Sequence, residues 1–282
     1  MNSSFVEVCI RAEVDSGELL ARLQDGEALG CWEKDGCIHI YWPAGKWTPG
    51  AQMDLRRALG EMGIEDTTSN LTIQEVPDQD WNAAWTASLK PIRLGRHIRI
   101  RQSWHPPDAD FNGIELVIDP KRAFGTGYHA TTQLVIEWLE DRIRGGERIL
   151  DVGTGSGILA MAAVRLGAAS ALAIDNDPVA LECAHEYAGV NGFGPELDLR
   201  NASMDDLEAG NFDVIVANLD GKTLPLLCRM LPKLMNAECD ACISGLQQQD
   251  YEEILEAVTR SGLRIKAQMK REDWLALAVR HR

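Results

Sequence analysis

Hydrophobic and polar positions along the chain follow two patterns, and the first covers about the first 75 residues. Short alternating runs typical of strands are mixed there with helical spacing, in the order β-α-β-β-α-β. The predicted elements lie at residues 5–11, 16–24, 29–32, 38–42, 50–63 and 71–75. This order is that of the ferredoxin-like module, so we expect a small ferredoxin-like α+β domain over residues 1–76.

From residue 131 onward, helices alternate with short apolar strands, which predicts an α/β fold with a doubly wound, Rossmann-like parallel sheet. Strands are predicted at 148–151, 171–174, 197–199, 212–217, 241–244, 263–269 and 274–279, with helices at 158–166, 178–191, 224–235 and 251–261. Because a parallel crossover needs about a dozen residues or more, the last two strands form an antiparallel pair. We place this domain at residues 106–282 and a linker helix and strand at 77–105.

The composition excludes several classes of protein. With 45% hydrophobic and 25% charged residues, the chain is typical of a globular protein rather than of a disordered or collagen-like one. Its formal net charge of −15 disfavours direct binding of nucleic acid and favours a basic macromolecular partner. The sequence has no uncharged apolar run of about 18 residues, so we expect no membrane contact and a cytoplasmic location.

The seven cysteines are scattered and odd in number, which indicates reduced thiols rather than a disulfide framework. Cys239 and Cys242 form a single CxxC, and no second pair or histidine cluster accompanies it to complete a zinc site. We therefore expect these two residues to pack in the core and the protein to hold no metal.

The sharpest motif is DVGTGSG at residues 151–157, which follows an apolar strand and opens a helix. Its glycines permit a tight turn and close approach of a ligand, although a purely structural turn would look similar. Asp151 directly before the loop and the G-x-G-x-G spacing argue against a dinucleotide site. Two further strands end in Asp175, which suits the hydroxyls of a ribose, and in Asn218, which suits orienting an amine or else a tight turn. Asp177 before Pro178 is expected to cap the next helix.

These strand-end features resemble the class I S-adenosylmethionine-dependent methyltransferases, whose seven-stranded sheet also closes with an antiparallel strand. Two segments narrow the resemblance: IDPKRAFGTGYHATT at residues 118–132, and DWNAAW at 80–85 leading to LKP at 89–91. Both look like the ribosomal protein L11 methyltransferase family, PrmA, over nearly the whole chain. The resemblance implies that the N-terminal domain docks a basic ribosomal protein, L11. It also implies methyl transfer from S-adenosylmethionine to lysine side chains of that protein and possibly to its N-terminal amine.

The resemblance also implies site residues. The cofactor contacts would fall on Thr132, on Gly153 with Asp151 and Gly155 in the same loop, on Asp175 and on Asn218; Phe124, Gly125, Thr126 and Gly127 would line the methionine end and Ser203 the adenine. Asn218 and His129 are the catalytic candidates, although His129 could instead buttress the loop by hydrogen bonding. The sequence departs from the family at Tyr128 and Ala130, and in Asn-Ala-Glu-Cys at 236–239 in place of Pro-Gly-Gly.

Three other functions remain compatible with the sequence. One is lysine methylation of another protein, such as an electron-transfer flavoprotein subunit, and a second is a catalytically silent S-adenosylmethionine-binding protein. An NAD-dependent oxidoreductase would share the glycine loop and Asp175, but it leaves the 124–132 segment and Asn218 unexplained.

Overall fold

The computed structural model describes residues 4–11, 19, 22–23, 27–28, 30–34, 36–64, 71–77, 89–121 and 123–282. The chain divides into two compact units, Met1–Ser88 and Leu89–Arg282. The three segments predicted from the sequence, 1–76, 77–105 and 106–282, stay a prediction. Most of the predicted helix 16–24 and the DWNAAW motif lie outside the described residues.

The first unit contains a four-stranded antiparallel sheet in the order β2-β3-β1-β4. Its strands are β1 (Ser4–Ile10), β2 (Gly30–Lys34), β3 (Cys37–Pro43) and β4 (Leu71–Pro77), and helix α1 (Pro49–Glu61) follows β3. Alternation in β1 buries Val6, Val8 and Ile10 against one side, as expected for a half-covered strand. Thr48 caps α1 by accepting from the amide of Ala51 at 3.3 Å.

The second unit is built around a seven-stranded sheet in the order β10-β9-β8-β11-β12-β14-β13. The elements are β5 (Ile92–Leu94), β6 (Ile98–Arg101), β7 (Ile114–Val117), α2 (Ala130–Arg142), β8 (Arg148–Val152), α3 (Ile158–Arg165), β9 (Ser170–Asp175), α4 (Pro178–Val190), β10 (Leu197–Asn201), β11 (Phe212–Asn218), α5 (Leu224–Leu234), β12 (Met235–Gln247), α6 (Tyr251–Arg260), β13 (Leu263–Arg271) and β14 (Trp274–His281). Strand β14 runs antiparallel to both neighbours, while the other pairings are parallel. The predicted α/β class and antiparallel final pair are confirmed.

Strand order reverses between β8 and β11, and this places a crevice at the carboxyl ends of the central strands. Residues 214–217 of β11 are all buried, because the two hydrophobic clusters of this unit cover both faces of the sheet. The smaller sheet, β5-β6-β7, joins the first of these clusters through Leu94, Ile98 and Leu116.

Strand β12 is longer than the predicted 241–244. It begins at Met235, which pairs with Phe212, and continues to Gln247, which pairs with Trp274, so residues 236–239 form strand rather than turn. Cys239 and Cys242 are fully buried free thiols, as expected for core residues. Within the described ranges, no group of three or more His, Cys, Asp or Glu side chains could hold a metal ion. Every helix described there is too short or too polar to cross a membrane.

Candidate active site

A cleft of about 670 Å³ opens at the carboxyl ends of β8, β9 and β11. Its walls come from the glycine loop, from the ends of two neighbouring strands, and from segments 202–205 and 218–226. The lining residues are Ala123, Phe124, Val152, Gly153, Gly155, Ile174, Asp175, Asn176, Asp177, Ala180, Ala202, Ser203, Met204, Asp205, Asn218, Leu219, Asp220, Thr223 and Leu226. Six of the predicted site residues thus meet in one cleft: Phe124, Gly153, Gly155, Asp175, Ser203 and Asn218.

The glycine loop after β8 has a backbone conformation that residues with a side chain rarely adopt. Gly153, Gly155 and Gly157 have φ values of 71°, 56° and 81°. A Cβ at Gly153 would lie 2.3 Å from Cδ2 of Leu219, and one at Gly155 would lie 2.6 Å from the carbonyl oxygen of Phe124. These glycines are therefore required by both the turn and the close approach of neighbouring segments.

Asp175 is fixed by the loop that it faces. Its carboxylate accepts from the amide of Gly155 at 2.9 Å and from the amide of Asp177 at 3.0 Å. Each carboxylate oxygen still has a lone pair for a ligand hydroxyl. Asp177 caps α4 by accepting from the amide of Val179 at 2.9 Å, with Pro178 in the first turn, as predicted.

Asp151 lies beneath the glycine loop, fully buried, and is not among the residues that line the cleft. Its Oδ2 accepts from Oγ1 of Thr154 at 2.6 Å and from the amide of Ala160 at 3.2 Å. Oδ1 has no hydrogen-bond partner in the described part of the chain. Burial raises the pKa of Asp151 to about 7, and the nearby charge of Asp175 adds to this shift. Its predicted contact with the cofactor stays a prediction.

The segment at 124–129 is tied to the glycine loop. The carbonyl oxygen of Phe124 accepts from the amide of Ser156 at 2.9 Å, and that of Gly125 accepts from Oγ of Ser156 at 2.7 Å. Phe124 is 55% exposed and lines the cleft, whereas Gly125, Thr126 and Gly127 are not among the lining residues.

His129 caps helix α2. Its Nδ1 accepts from the amide of Thr131 at 3.4 Å and lies 2.7 Å from Oγ1 of the same residue. The imidazole contacts the Phe124 ring, with 5.3 Å between centroids, and the Trp274 ring, with 4.8 Å. These contacts are compatible with the buttressing role. His129 is not among the lining residues, and its catalytic role stays a prediction.

Asn218 lines the cleft at the end of β11, while Thr132 lies buried behind it. Nδ2 of Asn218 donates to Oγ1 of Thr131 at 2.9 Å and to Oγ1 of Thr132 at 3.4 Å. With its amide nitrogen engaged, Asn218 has its carbonyl oxygen to offer to a donor on a ligand. Thr132 therefore helps to orient a cleft residue, and its predicted contact with the cofactor stays a prediction.

Sequence reasoning missed Asp220 and Asp205, which line the cleft. Burial by itself would raise the pKa of Asp220, but donation from the hydroxyl and amide of Thr223 and from the amide of Lys222 holds it below its usual value. The available signal was the position of Asp220, just after a strand that ends in Asn218. With Asp175 and Asp177, these residues give the cleft an acidic lining that favours a cationic ligand.

A seven-stranded sheet with an antiparallel final pair, a glycine loop at its switch point and a carboxylate on the neighbouring strand define an S-adenosylmethionine-dependent methyltransferase. The chain belongs to the ribosomal protein L11 methyltransferase (PrmA) family, whose sequence model matches residues 29–282. A member from Geobacter sulfurreducens is 33% identical over 100% of this chain and 99% of its own length. One from Enterococcus faecalis is 35% identical, with 98% of this chain and 89% of its own covered.

A solved structure supports the same assignment. The crystal structure of the ribosomal protein L11 methylase from Lactobacillus delbrueckii subsp. bulgaricus matches with a TM-score of 0.64 and 32% sequence identity. It covers 69% of this chain and 99% of its own. The family resemblance inferred from the sequence is confirmed, and the oxidoreductase alternative is not favoured.

Proposed function

We propose that this protein transfers methyl groups from S-adenosylmethionine to amines of ribosomal protein L11, with lysine side chains as the main acceptors. The observation that carries the proposal is the acidic cleft at the switch point, with Asp175 and Asn218 on its walls. The names of the family and of its members supply the protein substrate. The geometry supplies the chemistry.

The cleft suggests one placement of the cofactor. Asp175 would accept the ribose hydroxyls, Ser203 would lie toward the adenine, and Phe124 and Gly153 would border the methionine end; all four residues line the cleft. The sulfonium and ammonium groups of the cofactor are cationic, so the acidic lining favours them. Three further predicted residues shape the site. Thr132 helps to orient Asn218, Asp151 supports the glycine loop through Thr154, and Gly155 donates its amide to Asp175.

Transfer is an in-line displacement: the amine nitrogen bonds to the methyl carbon, the carbon–sulfur bond breaks, and its electron pair stays on sulfur as S-adenosylhomocysteine forms. The nucleophile must be the neutral amine, which forms when the lysine ammonium gives a proton to water. A cationic sulfonium nearby favours this loss because it disfavours the protonated form of lysine. The carbonyl oxygen of Asn218 accepts an N–H of the amine, which aligns its lone pair with the methyl group. Deprotonation of the methylated amine then needs only water.

Docking of the basic substrate is assigned to the first unit. The sheet order β2-β3-β1-β4 supports the ferredoxin-like module expected over residues 1–76. Residues 1–89 hold 15 acidic and 6 basic side chains, a net charge of −9 that suits a basic partner.

The decisive test incubates the full-length protein with methyl-labelled S-adenosylmethionine and purified L11, followed by mapping of the labelled residues. We expect label on lysine side chains of L11, and a much larger loss of transfer than of cofactor binding in Asn218→Ala. Cofactor binding without transfer to L11 or to any protein of a cell lysate would indicate a silent binding protein. Transfer to another lysate protein instead of L11 would change the substrate but not the chemistry.

A further inference from the structure

The 124–129 segment is anchored by two different parts of the second unit. Its first half is bound to the glycine loop through Ser156. Its second half is bound by Gln133 of helix α2, whose Nε2 donates to the carbonyl oxygen of Tyr128 at 2.9 Å and to that of Gly127 at 3.3 Å. Gly127 has a φ of 87°, a backbone conformation that residues with a side chain rarely adopt.

The other end of the Gln133 amide is held by Arg271, at the end of β13 beside the final hairpin turn. Nη1 of Arg271 donates to Oε1 of Gln133, and Nη2 donates to both carboxylate oxygens of Glu137 at 2.9 and 3.1 Å. A guanidinium carries donors only, so it must face the amide oxygen of Gln133. The NH2 group is thereby directed at the two loop carbonyls.

We propose that Gln133, oriented by Arg271, is a positioning residue for methyl transfer. It fixes the backbone of Tyr128 and His129, and through the ring contact of His129 it positions Phe124 in the cleft wall. Gln133 itself is not among the residues that line the cleft. The bonds are made to the half of the segment that leads to His129, whose ring packs against Phe124 and Trp274. The proposal rests on the proposed function, because it concerns the same site.

Tyr128 is held at its far end as well. Its hydroxyl donates to the carbonyl oxygen of Lys90 and accepts from Nε2 of Gln102 at 2.9 Å. The ring is thus fixed by its hydroxyl and the backbone by Gln133. Loss of the Gln133 bonds would release the backbone of Gly127 and Tyr128 and loosen the packing of His129 on the Phe124 ring. The backbone of Phe124 would stay bound to the glycine loop, so we expect catalysis to suffer more than cofactor binding.

The test compares Gln133→Glu with Gln133→Leu. Glutamate at position 133 can still pair with Arg271, but it has no NH2 group to donate to the loop carbonyls. If Gln133 only linked α2 to the final hairpin, Gln133→Glu would therefore keep normal activity. We expect both variants to lower kcat for L11 about tenfold and to change the cofactor Kd by less than about twofold. Arg271→Ala should lower kcat less, and adding it to Gln133→Leu should lower kcat no further, because Arg271 acts through Gln133.

The matched control is Arg260→Ala, which removes an exposed arginine paired with Glu256 on α6 and should change neither quantity. Normal kcat in Gln133→Glu, or multiplicative effects of Gln133→Leu and Arg271→Ala, would overturn the proposal. Thermal unfolding identifies a variant that fails to fold, and the conservative Gln133→Glu then decides. If the unmodified protein transfers no methyl group, the proposed function fails. Deuterium uptake at residues 124–129 still tests the anchor, and equal uptake in Gln133→Glu and the unmodified protein would overturn it.

Discussion

Asp151 and Asp240 are two buried aspartates of the same sheet that are treated in opposite ways. Asp240 lies toward the amino ends of the parallel strands, level with Val214, and Asp151 lies toward their carboxyl ends, level with Val216. The Asp240 carboxylate accepts hydrogen bonds from Arg280 at 2.7 and 3.0 Å, from Arg142 at 2.9 Å and from Lys266 at 3.2 Å. The Asp151 carboxylate accepts one hydrogen bond from a hydroxyl and one from a backbone amide, and both end on the same oxygen.

The difference appears in the pKa values of the two aspartates. Burial would raise the pKa of Asp240, but the bonds from Arg280 and Lys266 hold it below its usual value. Burial raises the pKa of Asp151 to about 7 because no cation faces it among the bonded partners. At the amino ends of the parallel strands, the buried charge of Asp240 is thus paired with cations. At the carboxyl ends, where the cleft lies, Oδ1 of Asp151 has no hydrogen-bond partner in the described part of the chain, and such unpaired polar atoms are often found near functional sites.

The largest expected effect follows from removing the satisfied charge. Asp240→Asn should lower the free energy of unfolding by about 3 kcal/mol, because two partly buried arginines, Arg142 and Arg280, and the exposed Lys266 lose their anion. Cofactor affinity should stay unchanged. Urea unfolding at pH 7 measures the first quantity and calorimetry the second, with Asp198→Asn, an exposed residue paired with Arg200, as the control. A loss below about 1 kcal/mol would contradict the contrast between the two aspartates.

At the cleft, the reverse pattern is expected. Asp175→Ala should weaken binding of S-adenosylmethionine by about 2 to 3 kcal/mol, or about 30- to 150-fold in Kd, because a charge-assisted acceptor for the ribose is lost. Stability should change less than in Asp240→Asn. An unchanged dissociation constant by calorimetry would show that the ribose lies elsewhere.

The pH dependence of stability distinguishes the two aspartates with a smaller effect. The raised pKa of Asp151 gives stability that is present below the unfolded value near 4 and is lost as pH rises through about 7. Between pH 6 and pH 8 the unmodified protein should therefore lose about 1.4 kcal/mol more than Asp151→Asn. The lowered pKa of Asp240 acts in the opposite sense: its contribution disappears only as pH falls below the usual aspartate range. Parallel unfolding curves for Asp151→Asn and the unmodified protein at both pH values would rule out an elevated pKa at Asp151.

The smallest effect concerns carboxylates exposed on the first unit, such as Glu61 and Glu75. Exposed charges act over the Debye length, which shrinks from about 30 Å at 0.01 M salt to about 10 Å at 0.1 M. If they steer a basic protein, the association rate with L11 should fall over this range at saturating cofactor. A flat stopped-flow rate would leave them a role in solubility alone.

Much of the fold and part of the site follow from local sequence. The glycine loop, the Asp177 cap before Pro178, the antiparallel final pair and the strand ends at Asp175 and Asn218 depend on backbone conformation and periodicity within a few residues. Local chain geometry determines such features wherever the segment lies in the fold.

Only the tertiary structure decided which side chains reach the cleft. Asp151 and Thr132 are buried behind it, Asp220 joins it, and β12 runs beyond 241–244 because its pairing partners lie on β11 and β14. Gln133 and Arg271 form a hydrogen bond although 138 positions of the second unit separate them in the sequence. Burial, pKa and hydrogen-bond partners depend on which distant segments pack together, and no local pattern of hydrophobic and polar residues encodes that.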